Sequence, residues 1–303
     1  NSMYLCYINF FMIKNTAEFY SVLLKKFQYS PTSKQRKLLQ LLSDFTFSID
    51  KDNLFLLKGY AGTGKTTSIG AFVNSLSLTG RKSVLLAPTG RAAKVISVYS
   101  KRPAFTIHKK IYFPKKQSNG SVDFVLQPNK HRNTIFIVDE ASMIPDSRQH
   151  QKLFESGSLL DDLISYVYSG HQCKLIFIGD TAQLPPVKLS VSPALEEATL
   201  LYDYHKNVTQ IELDEVMRQH ETSGILANAT LLRLMIQNDA TDFQFDIDFP
   251  DVIRLEDGYD IEDALVTAYD TQGVEDTAFI VRSNKRANQY NQQIRMKIRG
   301  QEN

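Results

Sequence analysis

A glycine-rich segment at residues 59–66 carries the residue types needed to hold a chain of phosphate groups. It reads Gly59-Tyr60-Ala61-Gly62-Thr63-Gly64-Lys65-Thr66 and lies between an apolar run and a helical pattern. Glycines let the backbone turn its N–H groups toward phosphate oxygens, and the helix N-terminus adds partial positive charge. The lysine suits the β- and γ-phosphates and the threonine hydroxyl suits Mg²⁺. The segment therefore predicts binding and hydrolysis of a nucleoside triphosphate, ATP, with Mg²⁺.

Two more polar segments follow apolar runs that are typical of buried strands. Asp139 and Glu140 follow the run 135–138, and Gln183 comes shortly after the run 175–178. We expect Asp139 near Mg²⁺ and Glu140 near the attacking water, because phosphoryl transfer depends on positioning more than on covalent help. Gln183 can hydrogen-bond the γ-phosphate, although Gly, Asp and Pro around it equally suit a tight turn.

Short apolar runs and helical patterns alternate along the chain. The runs cover residues 54–57, 84–87, 135–138 and 175–178, and the helical patterns cover about 65–78, 92–99 and 159–168. This alternation predicts an α/β fold with right-handed crossovers and a parallel sheet that is covered on both faces. Ligands of such sheets bind beyond the carboxyl ends of the strands, where the polar segments lie.

The flanking segments complete the domain assignment. Thr32 and Gln35 form a capping-box pattern that begins a helix, and two strand patterns around Asn119-Gly120 indicate an inserted β-hairpin at about 109–132. A second unit begins near residue 206, with strands at 210–213 and 278–281 and a helix at about 225–236. We assign an N-terminal extension to 1–29, a first domain to 30–205 and a second domain to 206–303.

The net charge of +2 hides a strong segregation of charge. Residues 81–132 contain twelve Lys or Arg and one acid, whereas residues 239–276 contain thirteen acids and one Arg. The acidic block is typical of a solvated surface, and the basic block favours a polyphosphate partner. The apolar stretch 4–13 is too short to span a bilayer, and Cys6 and Cys173 have no metal-ligand or disulfide-framework spacing. We expect a soluble, cytoplasmic protein with no membrane partner.

Together these motifs resemble the superfamily 1B DNA helicases, and most of all their RecD-like branch, which includes the alpha subunit of exodeoxyribonuclease V. The resemblance covers about residues 30–295. Gln35 matches the adenine-recognising Q motif and residues 59–66 match motif I. Further matches are residues 87–94 (motif Ia), 106–108, 139–142 (motif II), 179–187 (motif III), 213–219 (an arginine-finger segment) and 282–287 (the first motif of a second RecA-like domain).

The resemblance implies a P-loop NTPase with a RecA-like sheet and part of a second RecA-like domain. It assigns catalysis to Lys65, Glu140, Gln183 and Arg218, with Thr66 and Asp139 at the metal; a surface salt bridge is the alternative for Arg218. The implied nucleotide-binding residues are Gln35, Gly59, Ala61, Gly62, Thr63, Gly64, Lys65, Thr66 and Thr67.

The resemblance also implies contacts to single-stranded DNA and to single-strand/duplex junctions. The implied residues are Pro88, Thr89, Arg91, Thr106, His108, Phe113 and Asn284. The basic hairpin resembles a strand-separating pin, whose aromatic residues can stack on bases or simply pack against the domain. His108 can equally be a core or capping histidine.

The implied function is an ATP-dependent helicase or translocase that moves 5′ to 3′ on single-stranded DNA in recombination or repair. One alternative is the helicase-like subunit of an exodeoxyribonuclease complex, with nuclease partner subunits. Another is a DNA-binding ATPase switch without unwinding activity. Members of this branch carry further motifs beyond the position of Asn303, so we expect the second domain to be incomplete.

Overall fold

The structure is a computed structural model that describes residues 12–27, 29–116, 122–145, 158–186, 189–215, 223–238, 240, 242–298 and 300. It contains two compact units, Asn1–Arg218 and Gln219–Asn303.

The first unit is built on a six-stranded sheet and a two-stranded hairpin. The strands are β1 Asn53–Gly59, β2 Lys82–Ala87, β3 Ala104–Thr106, β4 Tyr112–Lys116, β5 Val122–Leu126, β6 Thr134–Val138, β7 Lys174–Gly179 and β8 Asn207–Leu213. The helices are α1 Thr16–Lys26, α2 Ser33–Phe47, α3 Lys65–Leu76, α4 Gly90–Ser100, α5 Ile107–Ile111 and α6 Leu159–Tyr168.

The large sheet has the order β3-β2-β6-β7-β1-β8, and each pair of neighbouring strands is parallel. Side chains alternate between its faces. Leu54 and Leu56 pack in one core with α5 and α6, whereas Phe55 and Leu57 pack in a second core with α1 to α4. The predicted α/β fold with a parallel sheet covered on both faces is confirmed.

Two segments belong to this unit although we assign them elsewhere from sequence. Strand β8, assigned to the second domain, pairs along β1 from Asn53↔Asn207 to Gly59↔Leu213. Helix α1, assigned to an extension, places Phe19 and Leu23 in the second core with no exposed surface. Strand β8 lies here because it pairs with the backbone groups of β1 that β7 leaves open. Helix α1 lies here because it covers apolar surface on one face of the sheet.

The hairpin of β4 and β5 is antiparallel, with Tyr112 opposite Leu126, which confirms the predicted insertion. The Tyr112 hydroxyl donates to Asp162 on α6 at 2.5 Å, so the base of the hairpin is bonded to the domain core. The predicted turn at 117–120 lies outside the described residues.

The second unit contains the helices α7 Gly224–Gln237, α8 Gly258–Thr271 and α9 Asn284–Gln293. Helix α7 matches the predicted helix, and α8 lies within the acidic block, where Asp257 caps its N-terminus. The predicted strand at 278–281 is wrong: it pairs with no described segment, Ile280 is 90% exposed, and the Phe279 ring packs on Tyr290. No helix in the described part of the chain has the length and apolar character to cross a bilayer.

Candidate nucleotide-binding site

The phosphate-type loop joins β1 to α3 at the carboxyl edge of the sheet. Gly62 and Gly64 have φ of 78° and 84°, a left-handed conformation that favours glycine over other residues. A Cβ on Gly59 would lie 2.7 Å from the carbonyl oxygen of Leu213. Ala61 and Thr66 are exposed, so the loop is open to a ligand on one side and packed against β8 on the other.

Gln35 braces this loop from the first turn of α2. Its Oε1 accepts from the Thr32 N–H at 3.0 Å, and its Nε2 donates to the Thr63 carbonyl at 3.0 Å. The Thr32 hydroxyl accepts from the Gln35 N–H, so the predicted capping box is confirmed. Gln35 is 1% exposed, and a Cβ on Gly64 would overlap its amide nitrogen. Gln35 therefore shapes the loop; recognition of a base by Gln35 stays a prediction.

Lys65 lies beside the two acids that follow β6. Its Nζ donates to the carbonyls of Gly59 and Tyr60 at 2.5 and 2.8 Å, and its positive charge lowers the pKa of both Asp139 and Glu140. Burial has the larger effect and raises the pKa of both carboxyl groups. The site thus holds two partly desolvated acids near one ammonium group.

Glu140 has a backbone conformation that is rare for a residue with a Cβ, with φ of 56° and ψ of 38°. Its carboxylate is hydrogen-bonded by the Gln183 side chain, which lowers its pKa against the effects of burial and of Asp139. The Gln183 Oε1 in turn accepts from the Ser142 hydroxyl at 3.1 Å. Gln183 therefore links the segment after β7 to the acids after β6, and its amide orients Glu140.

Tyr99 is a site residue that the sequence reasoning missed. It lies near the end of α4 and donates its hydroxyl to the Asp139 Oδ2 at 2.8 Å, while the Glu140 N–H donates to the Asp139 Oδ1 at 2.9 Å. Burial raises the pKa of the Tyr99 phenol, so it stays protonated and serves as a donor. The sequence signal for Tyr99 was its position on the face of α4 that also buries Ala93 and Ile96. A tyrosine hydroxyl on such a face needs a hydrogen-bond partner.

The predicted DNA-contacting residues of the first unit follow neighbouring strands at the same edge. Thr89 and Arg91 follow β2, and Thr106 ends β3. The Thr89 and Thr106 hydroxyls accept from the N–H groups of Ala92 and Lys109, so both threonines cap helices and keep a hydroxyl proton to donate outward.

The other predicted contacts differ in their surroundings. Arg91 is exposed, Pro88 is half-buried and Phe113 is 41% exposed. His108 is half-buried with its ring 5.9 Å from that of Tyr112, and burial lowers its pKa, which fits the packing alternative. Asn284 is the exposed first residue of α9 in the second unit, and Arg218 lies outside the described residues.

The donor set fits a triphosphate with a magnesium ion. No group of three or more His, Cys, Asp or Glu within the described ranges could hold a metal by itself. Mg²⁺ in nucleotide sites takes one or two protein oxygens and fills its remaining positions from phosphates and water. The oxygens of Thr66 and Asp139 match that need, and the half-buried Asp139 carboxylate favours a cation beside it.

The parallel sheet, the glycine loop between β1 and α3 and the acids after β6 define a nucleotide-binding P-loop NTPase of the RecA-like type. A family model described as an AAA domain, AAA_30, matches residues 34–244, and the chain belongs to this family. The predicted resemblance to RecD-like helicases of superfamily 1 is confirmed with it.

Three curated relatives show the same likeness. The chain is 32% identical over 174 residues to the ATP-dependent DNA helicase dda of Enterobacteria phage T4, covering 56% of this chain and 36% of the relative. It is 30% identical over 177 residues to the ATP-dependent RecD2 DNA helicase of Deinococcus radiodurans, covering 58% and 21%. It is 31% identical over 160 residues to the RecBCD enzyme subunit RecD of Buchnera aphidicola, covering 46% and 24%. The match thus spans between about a fifth and about a third of each relative.

Proposed function

We propose that this protein is an ATP-dependent DNA helicase or translocase that acts on single-stranded DNA, with 5′-to-3′ movement and a role in recombination or repair. The observation that carries the proposal is the grouping of Lys65, Asp139, Glu140 and Gln183 around one glycine loop. The ends of β2 and β3 lie at the same edge of the sheet. The names of the curated relatives support DNA as the substrate.

The roles at the nucleotide follow from the chemistry of each group. The loop N–H groups and Lys65 bind the phosphates, and Thr66 with Asp139 holds Mg²⁺. Bound Mg²⁺ neutralises charge on the phosphate oxygens. Glu140 takes a proton from water at its carboxylate, a task that suits an acid whose pKa burial raises toward neutrality. Gln183 keeps that carboxylate oriented, and Arg218 contributes positive charge at the γ-phosphate.

On the DNA side, the proposal places a single strand along Pro88, Thr89, Arg91, Thr106, His108 and Phe113 of the first unit. Asn284 stays a separate predicted DNA contact of the second unit. The capped helices α4 and α5 support it, because their first turns and cap hydroxyls lie at one edge of the sheet. Phe113 supports it by its exposed ring on the basic hairpin. Direct phosphate contacts make such binding dependent on salt.

The test is ATP hydrolysis by the 303-residue chain with and without single-stranded DNA at low salt. We expect DNA to stimulate hydrolysis and Lys65→Ala to abolish it, whereas Lys37→Ala, at an exposed position on α2, leaves hydrolysis unchanged. Duplexes with a single 5′ or 3′ tail then report unwinding and its direction. Turnover that is indifferent to DNA contradicts the DNA-driven role, and hydrolysis that survives Lys65→Ala contradicts the site itself.

A further inference from the structure

The basic block of the sequence is divided between opposite edges of the sheet. Arg91 and Lys94 follow the carboxyl end of β2, but Arg81 and Lys82 lie at its amino end. A six-residue strand separates these positions by about 20 Å. The part of the block near the amino ends therefore cannot contact the same stretch of phosphates as the loops at the nucleotide edge.

Basic residues from three neighbouring strands meet at this amino edge. Lys130 and Arg132 precede β6, which lies beside β2, and His171 precedes β7 on the far side of β6. Backbone hydrogen bonds join the segments at the amino ends of β2, β6 and β7. The Lys82 N–H donates to the Asn133 carbonyl at 2.9 Å, and the Asn133 N–H donates to the His171 carbonyl at 3.0 Å. We call this group the amino-edge cluster; it consists of Arg81, Lys82, Lys130, Arg132 and His171.

The charges of the cluster and its neighbours act on one another. Burial and the positive charges of Lys110 and Lys82 lower the pKa of His131, which lies within the loop that carries Lys130 and Arg132. Burial and the charge of Arg81 lower the pKa of Lys174 to about 8. These effects need basic groups that lie close together, and at Lys174 the charge of Asp50 partly opposes the lowering.

Two acids of this edge, Asp50 and Asp52, lie toward one side of the cluster, and Asp50 lines a pocket together with Arg81. Asp50 and Asp52 precede β1, beyond β7 in the strand order, and Asp52 is paired with Lys206 at 2.6 Å. Within the described ranges, no ion pair involves a member of the amino-edge cluster. Lys82, Lys130 and Arg132 are exposed, so their charge faces solvent, and His171 is exposed as well.

We propose that the amino-edge cluster is a second DNA-binding surface, which takes the phosphodiester backbone without reading its sequence. Its three strands span about 10 Å, and one strand of a duplex places a phosphate at about every 3.4 Å of its axis. Two or three adjacent phosphates therefore match the width of the cluster. The inference takes DNA as the polyanion from the proposed function, but it requires no nucleotide hydrolysis.

The experiment measures binding of a dye-labelled oligothymidine and a dye-labelled duplex by fluorescence anisotropy, without nucleotide, from about 50 to 200 mM salt. The test variant carries Lys82→Glu, Lys130→Glu and Arg132→Glu. The matched control carries Lys25→Glu, Lys26→Glu and Lys37→Glu, which are exposed positions on α1 and α2 with the same total change of charge.

We expect the test variant to lose at least about tenfold in DNA affinity at the lower salt, with a salt slope shallower by about 2 to 3. The control should lose much less. Comparing the loss of affinity for the oligothymidine with that for the duplex shows whether single-stranded or duplex DNA occupies the cluster. Equal losses in the test and control variants overturn the proposal, because they reflect net charge alone.

Two further measurements keep the outcomes distinct. Binding of a fluorescent ATP analogue should be the same in both variants, and the milder pair Lys130→Gln with Arg132→Gln replaces the test variant if the reversals prevent folding. If the unaltered protein binds no DNA, the proposed function fails together with the cluster. If DNA stimulates its ATPase but the test variant binds like the control, only the cluster fails.

Discussion

Replacing Tyr99 by phenylalanine tests whether α4 supports the metal site. The change removes one hydroxyl group, which donates to the Asp139 carboxylate at 2.8 Å. A hydrogen bond to a charged group contributes about 1.5–3 kcal/mol, which bounds the effect at about tenfold to a hundredfold. Because the Glu140 N–H still holds the other carboxylate oxygen, we expect the lower end, about a tenfold rise in the Mg²⁺ concentration for half-maximal hydrolysis.

The assay titrates Mg²⁺ in two ways: by ATP hydrolysis, and by Mg²⁺-dependent binding of a fluorescent ATP analogue without turnover. Tyr168→Phe is the matched control, since its hydroxyl donates to the Asn53 carbonyl at 3.0 Å, at the amino end of β1. That variant should lose stability without a change in Mg²⁺ dependence. If Tyr99→Phe keeps the Mg²⁺ dependence of the unaltered protein, or if both variants shift it equally, the Tyr99 hydroxyl does not support the metal site.

Three other variants test packing at separate places in the first unit. Gly64→Ala must place a Cβ at φ of 84° and against Gln35. We therefore expect the variant to be about 1–2 kcal/mol less stable and to bind the ATP analogue more weakly. Unchanged thermal unfolding and unchanged binding would contradict this. The pKa of Lys174, lowered to about 8 from 10.5, means that the unfolded chain binds more protons between these values, so the free energy of unfolding should rise with pH across them. Lys174→Met should remove that rise in urea titrations, and a difference between the two proteins that is constant with pH would argue against it. Tyr112→Phe leaves the buried Asp162 without its donor and should cost about 1.5–3 kcal/mol in urea unfolding; a loss below about 0.5 kcal/mol would show that the hairpin base does not depend on this bond.

The sequence predicts those parts of the fold that depend on local pattern. The runs at 54–57 and 175–178 became buried strands, and the capping box at Thr32 formed both of its hydrogen bonds. Helix α6 begins and ends where its periodicity indicates. In each case the apolar spacing and the cap belong to the element itself, so no distant contact is needed to fix them.

The parts that could not be predicted depend on partners distant in the chain. The apolar pattern of β8 says that it is a strand but not that it pairs with β1, about 150 residues earlier. The run at 278–281 has a strand composition without a described neighbour to complete its hydrogen bonds. Tyr99 and Asp139 meet only because α4 folds back over the sheet, and the division of the basic block follows from strand direction.

The left-handed backbone of Glu140 lowers the stability of the protein at a residue that its proposed ATP hydrolysis requires. A residue with a Cβ loses about 1–2 kcal/mol in this conformation, and Glu140 adopts it with φ of 56°. Glycine at this position would relieve the backbone strain and remove the carboxylate. An inactive Glu140→Gly variant should therefore be more stable to heat than the active protein. Selection for thermal stability alone would favour replacement of Glu140, and only selection for ATP hydrolysis would retain it.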